Sequence, residues 1–487
     1  MYTTLAACLG SAIGFWWGNP ISPWLSVATG LAVLTMFHMA FASSLVVALP
    51  HIGILIACLQ YVFAAWIGFY YPPSDPTYDI GDRLPFYLAY AGPVILALVL
   101  GWGLSLIRLR PLSPTNVSPI SRMGVLHELD LLLAIGMVSS LAGRFVHVPA
   151  LGFVFLLLGN LRYIGVFGRM LLKGGGWTWR LAFVLGTQAF LAVGSTMFHD
   201  LLLWSAWTFA VWVYTFKPRP WAVIAAIILG VLFLPALQEA KWRLRVDPLE
   251  DDPVVAEQEA GTVDPLRAGT AWLSYLIPAF EHTITWDFDA EFLGAAAVRY
   301  NQGWIINRVM VIVPDVEPYA GGATLQNAVV AAVLPRIIAP NKFVAGGREH
   351  MAQYAGILLN DETAMTLGYA GEMYANFGLV GGAIGCGVYA FVFGMIFRLF
   401  AVRAFRSPLW WSLVPFIFYS ALKAEDDIGF VLNWTTKAAI VAAGILIVLP
   451  NLRRALFARV PHNGALSNRP LITSSVAASS NPPISVA

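Results

Sequence analysis

Five cations, a histidine and a carboxylate between residues 299 and 372 carry the chemistry this sequence can do. Leu334-Pro335-Arg336-Ile337-Ile338-Ala339-Pro340-Asn341-Lys342 sets two of the cations among prolines. Pro335 should end the apolar helix before it, and Pro340 should hold Ala339 extended. Pro-Asn favours a turn, which would fold Lys342 back toward Arg336. Two cations on a stiff turn suit a phosphate, the guanidinium bidentately and the ammonium as a point charge. Arg348 and His350 follow a Gly346–Gly347 pair. Arg299 and Arg308 interrupt the apolar run Phe292–Val313. At about 100° per residue they lie nearly opposite on a straight helix. Both reach one ligand only if the helix breaks, near Gly303. An anionic partner for at least one is the reading adopted, with snorkelling to the membrane surface as the alternative.

Glu372 stands in Leu367-Gly368-Tyr369-Ala370-Gly371-Glu372-Met373-Tyr374-Ala375-Asn376-Phe377-Gly378, one helical turn before Asn376. Tyr369, Tyr374 and Phe377 read as an interfacial aromatic belt. A carboxylate held there should titrate above the ordinary range, as a proton-transfer group needs. Asp287 and Asp289 form a D-x-D, a pair that holds a divalent cation in some glycosyltransferases but is common by chance, and no metal site is assigned. Asp247, Glu250, Asp251, Asp252, Glu257 and Glu259 read as a solvated acidic stretch.

The elements that must position these residues are membrane spans. The chain is 58% apolar and 11% charged, with a net charge of +2 that points to no nucleic acid. Runs of about 20 apolar residues recur, each long enough to cross a bilayer as a helix. Twelve spans are expected: 3–18, 24–48, 51–70, 86–107, 124–142, 149–168, 180–198, 201–216, 220–237, 376–398, 408–424 and 434–452. Residues 1–237 thus hold nine spans, 238–375 a loop domain, 376–452 three more spans, and 453–487 a disordered tail. Arg108, Arg110, Arg122, Arg169, Lys173, Arg180, Lys217, Arg219, Arg398, Arg403, Arg406, Arg453, Arg454 and Arg459 then share one side. The positive-inside rule makes that side cytoplasmic and puts the 238–375 loop outside. Gly378, Gly381, Gly382 and Gly385 predict close packing of the tenth span and a rigid Glu372. The three cysteines fall in apolar runs and build no disulfide or metal cluster.

The segment from about 299 to 382 resembles the repeat-unit polymerases of bacterial surface polysaccharides, the O-antigen or Wzy-type family. The likeness rests on Arg299 and Arg308, on Pro335-Arg336 followed by Pro340 and Lys342, and on Gly371-Glu372-Met373-Tyr374-Ala375-Asn376-Phe377-Gly378. Arg336 to Gly347 also has the family's R-x10-G spacing, whereas the second arginine-rich outer loop has no counterpart here. The resemblance implies an all-α, GT-C-like polytopic glycosyltransferase in the bacterial inner membrane, its large loop periplasmic, working without metal or other cofactor. It implies polyprenyl-diphosphate-linked oligosaccharide as substrate, with membrane lipid and a chain-length-regulating protein as partners. On that reading Arg336, Lys342, Arg348 and Arg299 or Arg308 meet the diphosphate. Glu372 is the first choice of general base and His350 the second; Trp286, Trp304 and Tyr319 could stack on sugar faces, with simple packing the favoured alternative for each. Three rivals stay open: an O-antigen ligase, a flippase or exporter, which would need ionisable residues at the membrane midplane, and a structural membrane scaffold.

Overall fold

Lipid offers backbone amides no partner, so apolar runs of this kind close their own hydrogen bonds as helix. The computed structural model describes residues 8–13, 15–16, 22–41, 48–73, 75–107, 109, 119–145, 149–195, 199–246, 265–285, 287–334, 347–360 and 365–457. Its helices are α1 (Pro23–Phe41), α2 (Ala48–Ala57), α3 (Ala64–Tyr70), α4 (Leu84–Ser105), α5 (Pro119–Phe145), α6 (Pro149–Gly159), α7 (Leu161–Leu171), α8 (Trp177–Ser195), α9 (His199–Phe216) and α10 (Pro220–Val246). They continue as α11 (Pro265–Thr285), α12 (Ala290–Tyr300), α13 (Gly303–Ile312), α14 (Ala323–Val333), α15 (Arg348–Ala355), α16 (Gly368–Ala404), α17 (Trp410–Ile417), α18 (Ile428–Val448) and α19 (Pro450–Phe457). Among the described residues there is no strand.

Seven stretches are long and apolar enough to cross a membrane: Ala48–Tyr70, Pro76–Ser105, Met123–Gly143, Leu151–Leu171, Pro220–Ala240, Gly368–Ala404 and Ile428–Val448. The expected span 408–424 is not one helix. α17 covers only Trp410–Ile417 and gives way to a 3₁₀ turn at Ser420–Leu422. Several helices overrun the expected bounds, most of all α10, which continues to Val246, and α16, which starts at Gly368. α16 also bends: Gly378 adopts φ 70° and ψ −163° inside it. That conformation is essentially restricted to glycine.

Contacts fix the directions of the spans. Tyr90 donates to the Ala370 carbonyl at 2.6 Å near the starts of α4 and α16, and Arg398 reaches the Ser105 carbonyl at 3.0 Å near their ends. These two helices therefore run parallel, and the chain between them must cross back an odd number of times. Their close approach uses Gly382 and Gly387 of α16, against Tyr90 and Ala97. Gly378 serves the bend instead. α18 starts beside α16, through Glu372 and Ile428, and ends beside the start of α5, where Glu128 accepts from the Leu452 amide at 2.6 Å. α5 and α7 run antiparallel, Arg162 of α7 bonding Ser140 of α5 and Arg169 bonding Asp130. The Asp130–Arg169–Arg180 cluster, Arg398 and Arg453 thus share one end of the bundle. Glu372 and Asp427 share the other.

The insert folds back onto this second end. A π-helical turn, Cys58–Phe63, joins α2 to α3, and its Gln60 carbonyl accepts from the Gln302 amide at 3.1 Å. A π turn leaves carbonyls outside the usual helical pairing, and here one ties the insert to a span.

Candidate functional site

Helix breaks and caps place the candidate residues. α12 stops at Tyr300, Asn301 takes an extended conformation, and α13 begins at Gly303. The Asn301 side chain accepts from the Gly303 amide at 2.8 Å and so caps the new helix. The break needed for Arg299 and Arg308 to share a ligand is therefore present. The Arg299 side chain lies outside the described residues. Arg308 is half-buried, and its Nε has no hydrogen-bond partner. A methyl group added at Gly356 would come 3.9 Å from its Nη2, which puts the guanidinium at the C-terminal end of α15, a favourable place for a cation.

α14 ends at Val333, with Leu334 extended before Pro335, as the proline predicts. Arg336 and Lys342 lie outside the described residues. Their segment leaves from α14 and re-enters at Gly347, the N-cap of α15. Arg348 is exposed on the first turn of α15, and His350, two residues later in the same turn, is buried.

Glu372 lies in the first turns of α16, 1% exposed. Its Oε2 accepts from the Ile428 amide at 2.8 Å, capping α18 from outside. Its Oε1 has no hydrogen-bond partner. Asn376 fixes the segment: its Nδ2 donates to the Glu372 carbonyl at 2.8 Å and to Thr324 of α14 at 2.7 Å. Its Oδ1 accepts from the Gly322 amide at 2.8 Å. The rigidity expected of Glu372 thus comes from this amide clamp as well as from small-residue packing.

Asp427 completes the group, and the sequence reading did not single it out. It is 2% exposed, and it N-caps α18 by accepting from the Phe430 amide at 2.7 Å; its Oδ2 has no partner. Glu372 and Asp427 lie close enough for their charges to repel. Burial pushes the Asp427 carboxyl above the usual carboxylate range, opposed by the Phe430 amide and the nearby His350. Burial also holds His350 below the ordinary imidazole range, opposed by Asp427 and Glu349. Asp427 is therefore within electrostatic reach of both Glu372 and His350.

Two other candidates, Asp289 and Trp304, serve structure. Asp289 of the D-x-D caps α12 by accepting from the Glu291 amide at 3.2 Å. Trp304 is 3% exposed and packs edge-on to Tyr78 at 4.8 Å, so it offers no face to a sugar. Tyr319 is exposed and leans over the Gly378 bend, and Trp286 lies outside the described residues.

Two corners far apart in sequence also meet. Lys423 bonds Asp200 at 3.1 Å and sits 4.4 Å over the Tyr419 ring, while Tyr419 donates to Asp200. Arg162, 3% exposed within the span Leu151–Leu171, donates to Ser140 at 2.6 Å and to Gln188. The signal for it was a lone arginine inside an apolar run. Comparison with protein-family models, curated proteins and solved structures returns no match to the chain.

Proposed function

We propose that the protein is a membrane glycosyltransferase that joins oligosaccharide repeat units carried on polyprenyl diphosphate, at the outer face of the bacterial inner membrane. The observation that carries the reading is Glu372: a buried carboxyl with one oxygen held by the Ile428 amide and the other without a close hydrogen-bond partner, with Thr324 alongside and Asp427 within electrostatic reach. A general base has this form, fixed in place yet with a lone pair to spare. The cationic end of the bundle, with Arg398, Arg453 and the Arg169–Arg180 pair, lies opposite; the positive-inside rule assigns that end to the cytoplasm and the site to the outside. Twelve spans in a GT-C-like arrangement keep the parity that the parallel α4 and α16 require, with α8 and α9 crossing as an additional pair.

In the proposed step an acceptor sugar hydroxyl attacks the anomeric carbon of the donor glycan. The new C–O bond forms as the bond from that carbon to the diphosphate oxygen breaks, and Glu372 takes the hydroxyl proton. Negative charge grows on the departing diphosphate, where Arg308, Arg299, Arg336, Lys342 and Arg348 would stabilise it electrostatically. No metal or other cofactor enters this scheme.

One observation favours the flippase reading: Arg162, buried within a span and donating to neutral partners. A gel of surface polysaccharide separates the readings. Arg336→Ala in a polymerase leaves a core-plus-one-unit band with no ladder, whereas loss of a flippase removes that band too. A normal ladder from Arg336→Ala overturns the assignment of this turn.

A further inference from the structure

Glu372 and Asp427 approach each other only because α18 starts where α16 starts. Each carboxyl spends one oxygen on the first turn of α18, at the Ile428 and Phe430 amides, and each leaves its other oxygen without a partner. Among the described residues no lysine or arginine pairs with either. Two buried carboxylates without a cation cannot both stay ionised cheaply, and like charges at such a site drive one to hold a proton. The groups facing the pair are few. His350 and Tyr354 come from α15, Thr324 from α14, and Asp426 precedes Asp427; Glu349 acts through His350. Burial favours the neutral imidazole at His350, so it supplies little compensating charge.

We propose that Glu372 and Asp427 share a single proton and work as one monoanionic pair, with Asp427 the positioning residue that sets the pH range of Glu372. The pair accepts a second proton and becomes neutral, then releases it to water. Its link to turnover rests on the glycosyltransferase reading; the pairing itself does not. Titration then belongs to the pair, in two steps, rather than to either residue.

The test is infrared spectroscopy of the full chain in lipid nanodiscs. Asp426→Asn serves as the background, because burial pushes the Asp426 carboxyl up to about 7 and would add its own band. A protonated-carboxyl band that shifts in D2O should be present near neutral pH. Glu372→Gln and Asp427→Asn should each move the loss of that band to lower pH, since the remaining carboxyl keeps its burial but no longer faces its neighbour's charge. Asparagine remains a good N-cap, so Asp427→Asn keeps its bond to the Phe430 amide and the fold. Absence of the band in the background protein, or an unmoved titration of the band in either single variant, overturns the pairing. In transfer assays Asp427→Asn should move the acid limb of the rate–pH profile to lower pH. An unmoved limb overturns the tuning role while leaving the proposed reaction standing. A protein with the shared band but no transferase activity retains the pairing and loses the reaction.

Discussion

Glu372→Gln separates chemistry from architecture at this site. The carboxylate caps α18 through a single 2.8 Å bond from the Ile428 amide, and the glutamine carbonyl can accept the same bond. Losing the charge forfeits a favourable interaction with the helix N-terminus of about 0.3–1 kcal/mol. Asp427 can then carry the pair's single negative charge at the same helix end, so the net change in stability should stay within about 1 kcal/mol. Glu372→Ala differs, because it strands a buried amide at a cost of about 1–3 kcal/mol. Removing a general base lowers turnover by roughly 10²–10⁴. At about 1.36 kcal/mol per tenfold, that is about 3–5 kcal/mol of barrier, well beyond the structural effect of the glutamine. The assay is elongation of lipid-linked repeat units by purified protein in nanodiscs, with products resolved by length and melting followed in parallel. The glutamine variant should melt like wild type and make almost no polymer; the alanine variant should make none and melt lower. Wild-type turnover in the glutamine variant refutes the argument and transfers the role of base to His350.

Arg308→Ala should reduce turnover by about 10²–10³ in the same assay with melting unchanged, the scale of losing one oxyanion-type donor. Because its Nε binds nothing in the structure, unchanged turnover would assign this guanidinium to α15 alone. His350 is held below its unfolded value, so its contribution to stability is present above the ordinary imidazole range and lost as pH falls through that range toward the depressed folded value. Melting temperature measured downward from pH 8 should drop for wild type and drop less for His350→Asn; parallel curves would remove His350 from this role. Gly378→Ala must accept a glycine-only conformation and a Cβ 2.8 Å from the Tyr319 hydroxyl oxygen. A cost of about 1–3 kcal/mol is expected from the backbone alone, read as a lower melting temperature. Pairing it with Tyr319→Phe should recover little, since the backbone strain remains.

Local rules carried the sequence reading where the cause was local. The break before Gly303 follows from the need to re-aim an arginine-bearing helix, and Asn301 supplies the cap. The end of α14 before Pro335 follows from proline sterics. Glu372 stood out as a lone acid in an aromatic belt. Asp427 did not, because its meaning depends on α18 returning over α16 and its own neighbourhood reads as an ordinary cap. The union of Asp200 with Lys423 was hidden for the same reason, with both ends of that pair looking like separate solvent-facing corners. The glycine run was read as one packing stripe. The bend at Gly378 divides its labour, a distinction only backbone dihedrals reveal.

The bond from the Gln302 amide to the Gln60 carbonyl carries a consequence of its own. It is made by main chain on both sides, so it is blind to which side chains stand at 60 and 302. The bond does not depend on the side chain at 302, proline excepted because it has no amide proton to give, whereas Gln60 is buried inside a helical turn and its replacement must fit that packing. The alignment between the insert and the transmembrane bundle can therefore persist through changes of side chain at 302, while position 60 stays constrained by its burial.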